Sequence, residues 1–203
     1  MRLNRFAQPR AQRGVTLVVT LIVLVALMAA GVALIRSVDT ATMVAGNLAH
    51  KDVSTRAGEI GLQAATEWLQ TQVVAGGGVL NQDSAANAYF SSQHAQDPGW
   101  SPINDWPANA KTLPANAAYS DLSISYIIHR LCALPNAAYN ETVHGVQNRC
   151  SLYVPTVGGK GGSFSSDAAD IGEPPQVFMR VTVRVQGRRG STSYIQGLML
   201  APA

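Results

Sequence analysis

Apolar residues fill an unbroken stretch near the start of the chain: residues 15–35 read VTLVVTLIVLVALMAAGVALI, without one charge. At 1.5 Å per residue a helix of that length covers roughly 31 Å, close to the ~30 Å hydrocarbon thickness of a bilayer, where helical backbone is the only single-segment solution. The pattern then changes rather than stopping. Val53, Ala57, Ile60, Gly61, Ala64 and Trp68 recur at three and four, and Leu62, Ala65, Leu69 and Val73 widen that stripe. Lys51, Asp52, Arg56, Glu59, Glu67 and Gln70 take the other side, which predicts an amphipathic helix. No proline falls between Pro9 and Pro98, so the two segments are expected to form one helix, roughly 87 Å from Val15 to Gln72. Gly31, Gly46, Gly58 and Gly61 each weaken it by up to about 1 kcal/mol against Ala, so bends are expected near them. The Gly76, Gly77, Gly78 run ends it.

Farther along, the period falls to two. Leu122, Ile124, Tyr126 and Ile128 alternate with Ser123, Ser125, Ile127 and His129, predicting a strand with one apolar face. Residues 152–154 suggest a short strand. Val177, Met179, Val181, Val183 and Val185 line one face of another, with Phe178, Arg180, Thr182, Arg184 and Gln186 opposite. A turn at residues 187–190 returns the chain through residues 191–200, an antiparallel hairpin whose valine face needs the amphipathic helix as its cover. Residues 79–120 read as loop, with Trp100 and Trp106 among prolines and better suited to filling a thin core than to stacking a ligand. The fold class is α+β: a long N-terminal helix against a small antiparallel β-sheet. Four segments follow: 1–14, a basic leader; 15–35, a membrane or assembly helix; 36–75, its amphipathic continuation; and 76–203, an outer domain.

Charge fixes the orientation. Arg2, Arg5, Arg10 and Arg13 precede the apolar run, so the positive-inside rule holds the N-terminus in the cytoplasm and sends the rest outward. With those four set aside, the 15 Lys and Arg fall to 11 against 12 acidic residues, and the net charge of +3 belongs to the leader. A basic surface for nucleic acid is therefore not expected. A secretory signal peptide, with small residues Ala29, Ala30 and Gly31 as a cleavage region, is the competing account; the apolar stretch exceeds an ordinary h-region and lacks a clean A-x-A. Cys132 and Cys150 are the only cysteines, and this topology puts both outside the cytoplasm. A disulfide is expected, contributing about 3 kcal/mol.

Motifs for chemistry are sparse. Residues 158–163 lack the spacing of a phosphate-binding loop. Asp167, Asp170 and Glu173 lack the EF-hand pattern, and no metal is assigned. His50, His94, His129 and His144 are scattered without a partnered nucleophile motif, although His144 and Ser151 share the neighbourhood of the cysteine loop. Arg188 and Arg189 sit in a turn. No catalytic residue and no cofactor are expected.

Gln12, Arg13, Gly14, Val15, Thr16 and Leu17, a basic leader ending in Gly before a long apolar helix, resemble the class III leader of type IV pilins and pseudopilins. Met43, Val44, Ala45, Gly46, Asn47 and Leu48, followed by Arg56, Ala57, Gly58 and Glu59, are similar to the M-A-G-N and A-x-E segment of the PilX family of minor pilins. Residues 128–132 and the 180–185 hairpin strand fit the same family. The resemblance implies cleavage between Gly14 and Val15 by the prepilin peptidase, and N-methylation of the new Val15 amine. Losing four arginines would ease extraction from the bilayer, where a charge costs a few kcal/mol. Major pilins carry a glutamate at the fifth residue after the cut; here it is Val19. Since that glutamate neutralises a neighbour's terminal ammonium, its absence points to a subunit at the tip of an initiating complex.

The disulfide differs from that of major pilins, in which the bridged region lies at the C-terminal end; here residues 176–200 follow Cys150. Implied partners are other minor pilins, the major pilin, a tip adhesin, the prepilin peptidase and the inner-membrane assembly platform, with residues 79–120 and 155–175 as contact loops. The implied location is the bacterial inner membrane, with the C-terminal domain periplasmic, and then the pilus, with cell motility among the outcomes. A type II secretion pseudopilin shares the leader and the helix. A secreted or membrane-anchored enzyme or binding module with an ordinary signal is the alternative from another class.

Overall fold

The structure, a computed structural model, describes residues 14–76, 78–93, 106–115, 119–154, 175–187 and 190–203. One helix, α1 (Val15–Ala75), is followed by two 3-10 turns (Val79–Asn81 and Ala85–Asn87). Among the described residues eight strands follow: β1 (Tyr89–Phe90), β2 (Lys111–Thr112), β3 (Ser123–Arg130), β4 (Thr142–Val143), β5 (Val146–Gln147), β6 (Leu152–Tyr153), β7 (Gln176–Gln186) and β8 (Thr192–Pro202). The chain divides into two units, Met1–Lys51 and Asp52–Ala203, with α1 contributing to both.

In the first unit the described residues are helix after Gly14, with the side chains of Leu17, Val18, Leu21 and Ile22 exposed like their neighbours. Its threonine hydroxyls are satisfied within the helix: Thr20 donates to the Leu17 carbonyl at 2.9 Å and Thr40 to that of Arg36 at 2.8 Å. Such back-bonding leaves no polar side-chain atom of these residues in search of water.

The second unit is a sheet covered on one face by the last turns of α1. Gly76 ends the helix as the sequence predicts: at φ 67° its N–H donates to the Gln72 carbonyl at 3.1 Å, in the left-handed conformation that only glycine adopts cheaply. β7 is the centre of the sheet. β8 pairs along its whole length on one edge, while β3 and then β6 share the other. β1 and β2 lie on the far edge of β3. The alternation read from the sequence sorts the faces correctly: Val177, Met179, Val181, Val183 and Val185 are buried with Ile124, Tyr126 and Ile128 beneath Ala57, Ala65 and Leu69 of α1.

One expectation is corrected. The sheet is mixed, not purely antiparallel, because Tyr89 and Phe90 pair in parallel with Ile128 and His129. A two-residue strand inside residues 79–120 carries no readable period. Gly58 and Gly61 of the helix are buried contact points. A Cβ on Gly61 would lie 2.5 Å from Val183 Cγ1 and 3.1 Å from Ile124 Cγ2; one on Gly58 would lie 2.2 Å from Ile195 Cδ1. From the opposite side, a Cβ on Gly197 of β8 would meet Leu62 Cδ2 at 3.1 Å.

Gly61→Ala is therefore expected to destabilise the chain by about 1–3 kcal/mol, since Val183 is β-branched and central and cannot rotate away. Gly58→Ala is expected to cost less, because the Ile195 tip can turn aside. Gly46→Ala, with nothing within 4 Å of the new Cβ, should stabilise by up to about 1 kcal/mol through helix propensity. Denaturant midpoints in detergent would rank the three.

Candidate functional site

Two regions hold the residues singled out in the sequence. The first is the start of α1. Gly14 is the turn residue before the helix and Val15 its first residue; the leader residues Arg2, Arg5, Arg10 and Arg13 lie outside the described residues. Val15 and Val19 stand one turn apart, on the same face, and are 59% and 51% exposed. The first ionisable side chain after them is that of Arg36. A carboxylate at position 19 would sit one turn from the amine that cleavage after Gly14 would create. Valine offers that amine no counter-charge. The helix that begins here is long and apolar enough to cross a membrane.

The second region is the disulfide. Cys132 and Cys150 are bonded, with Cys132 fully buried. The bond closes a lobe built around Asn148, whose amide donates to the carbonyls of Ala137 and Ala138 at 3.1 and 3.0 Å. Its side-chain oxygen accepts from the Leu134 N–H at 2.9 Å. At the lobe's tip, β4 and β5 form a hairpin through His144 (φ 50°) and Gly145 (φ 81°). Asn136 ties the lobe to the chain on both sides of β1: its N–H donates to Ser91 Oγ at 2.7 Å and its side-chain oxygen accepts from the Asp83 N–H at 2.8 Å.

Arg130 ends β3 fully buried and donates to the Ala137 carbonyl at 3.0 Å, joining sheet to lobe. Burial lowers its pKa, partly opposed by Tyr89. Tyr89 is fully buried too, donating to the Leu80 carbonyl and tilted against Trp68 of α1 at 5.4 Å. Burial pushes its phenol far above the ordinary value, against the pull of the Arg130 charge. These groups hold elements together; none opens on a cavity with a nucleophile.

The three described histidines do not converge. His50 is on α1, His129 is buried in β3 and stacked on Phe90 at 5.5 Å, and His144 is at the hairpin tip. Ser151 has its N–H bonded to Leu131 and its carbonyl to Phe178, beside the disulfide. Among the described residues no three His, Cys, Asp or Glu side chains are grouped to hold a metal. His94, Trp100, the 158–163 loop, Asp167, Asp170, Glu173, Arg188 and Arg189 lie outside the described residues.

Sequence reasoning missed one cluster, on the face of the sheet away from α1. The Arg184 guanidinium lies 4.8 Å over the Trp106 ring, which tilts against Tyr194 at 5.9 Å and packs on Ala88, Phe90 and Ile127. Trp106 thus fills a small second core, as its residue type suggested; its pairing with Arg184 has no local spacing to reveal it. No known protein family, curated protein or solved structure matches the chain.

Replacing both cysteines by alanine is expected to lower stability by about 3 kcal/mol. The loss should be local first: amide exchange at Leu134 and Asn148 should rise well before exchange at Val181, whose ladder in β7 does not involve the bridge.

Proposed function

We propose that this chain is a minor pilin of the PilX type, a structural, non-catalytic subunit that takes part in type IV pilus assembly within the initiating tip complex. The observation that carries this reading is α1 itself. It is a single 61-residue helix, exposed and apolar at residues 15–35, with one face, from Ser54 through Ala57, Gly61 and Ala65 to Leu69, buried against a sheet. An exposed helix that is apolar all round needs another low-dielectric environment, either lipid or a bundle of like helices. A pilin subunit uses both in turn, first in the inner membrane and then in the fibre. The formed disulfide fits an oxidising compartment for the second unit.

Cleavage after Gly14 would remove the arginines that resist extraction and leave a methylated Val15 amine. With Val19 in place of glutamate, this subunit would neutralise no neighbour's amine from that position, which suits one with no pilin above it. Other minor pilins, the major pilin, a tip adhesin and the assembly platform are the partners in this reading.

Expression with and without a prepilin peptidase, followed by intact and peptide mass spectrometry, tests the processing. The expected product is an N-methylated chain starting at Val15 that depends on the peptidase. A start near Gly31, or an uncut Met1 in both cases, would overturn the reading. Deletion should abolish twitching; loss of secretion with pili intact would assign the chain to the pseudopilins instead. Val19→Glu should leave fibre number little changed, and a large rise in fibres counted by microscopy would remove the tip placement.

A further inference from the structure

Among the described residues β8 is an edge strand. Among the described residues its one neighbour is β7, with which it pairs from Gln186↔Thr192 to Gln176↔Pro202 without a bulge. The direction of its backbone groups follows from the two ends of that ladder. Gly187 donates to the Ser191 carbonyl at 2.8 Å, and Ala203 to the Pro175 carbonyl at 3.0 Å. Bonded and non-bonded pairs alternate in an antiparallel ladder, so the odd-numbered residues of β8 exchange bonds with β7. Thr192, Tyr194, Gln196, Leu198 and Leu200 direct their N–H and C=O groups away from it. The same parity holds on the other edge of β7, where Phe178 bonds to Leu131 and Ser151.

Natural sheets blunt such an edge with lysine, inward charge, proline or a bulge. From Ser191 to Ala203 there is no Lys, Arg, His, Asp or Glu side chain, and Pro202 stands only at the strand's end. Leu198 and Leu200 are 64% and 44% exposed, on the same face as Tyr194. Alongside the end of β8 runs a groove of about 400 Å³, walled by Thr66, Gln70, Val73 and Val74 of α1 and by Leu200 and Pro202, with no charged residue in its lining.

We propose that the free edge of β8 pairs with an extended, uncharged segment of another protein, which adds a strand to the sheet and lays alternate apolar side chains into the groove beside α1. The unpaired amides and carbonyls select an extended backbone, since a helix satisfies its own. The uncharged edge and groove select an uncharged strand, because a buried unpaired charge there would cost several kcal/mol. The proposal does not rest on the pilin reading, and an N-terminus left uncut leaves it standing.

The test uses the full chain in the cells that make it, with a benzophenone amino acid at Leu200 and, as a control, at Val146 on the exposed lobe hairpin. The expected result is an adduct at position 200, absent at 146, with one other polypeptide, and a cross-linked peptide that maps to an uncharged segment. Adding Leu198→Pro removes an outward N–H but no bond to β7, and should lower the yield about tenfold, the worth of roughly one hydrogen bond and its register. Leu198→Lys, which leaves the backbone intact, should do the same if the proline variant loses its fold as judged by thermal melting. Yield equal to the control, an adduct only with a second copy of this chain, an adduct within a charged or helical segment, or indifference to the substitution at Leu198 would each overturn the proposal.

Discussion

Three missing β-carbons set the distance between α1 and the sheet. Gly58 and Gly61 on the helix and Gly197 on β8 let backbone and side chains approach until Ile195, Val183 and Leu62 fill the space a Cβ would need. That approach makes the valine face of β7 a core rather than a surface. Dispersion falls off steeply with separation, so a helix held even 1 Å farther out would forfeit a quarter to a half of each contact. The helix meets the cost of two interior glycines, up to about 1 kcal/mol each, with the apolar area they allow it to cover. Ala57, Ala65 and Leu69 complete the stripe, all small or flexible, so that the β-branched residues of the sheet supply the bulk.

With one face of the sheet committed to α1, its ends are closed by polar means. Arg130 continues the apolar row of β3 and so enters the interior with a charge. It reaches the Ala137 carbonyl, which also accepts from Asn148, and the disulfide keeps both ends of that lobe beside the sheet. Buried polar groups are costly unless paired, so this arrangement specifies one conformation for a segment with almost no apolar core of its own. On the other face Arg184 lies on Trp106, its charge set against an aromatic ring rather than a carboxylate.

Legibility followed the length of each pattern. β3 and β7 run for eight and eleven residues, enough for a period of two to declare which side chains turn inward, β8 followed as the return strand of the hairpin, and α1 declares itself by both apolar length and stripe. β1 and β2, at two residues each, were hidden in the loop reading. The glycines were visible but their contacts were not: inside a helix, Gly reads as a loss of propensity, and only the residue opposite shows a close approach. Of the candidate site, the start of α1 at Val15 and the cysteine pair were legible because each is a local or unique signal. The Trp106, Arg184 and Tyr194 cluster was not, since its members belong to distant segments.

Two surfaces of this molecule are unfinished, and they are unfinished in different ways. The apolar start of α1 is non-directional: burying it is favourable against lipid or against any apolar helix, so it supplies driving force without naming a partner. The edge of β8 is the reverse. Five residues with outward amides and carbonyls demand a backbone in one direction and one register, while contributing modestly to affinity. Each feature alone is an aggregation hazard in water, where exposed apolar patches and flat edges recruit copies indiscriminately. In the proposed reading, a subunit held in a bilayer or a fibre would meet its partner with the helix supplying local concentration and the strand edge supplying the choice.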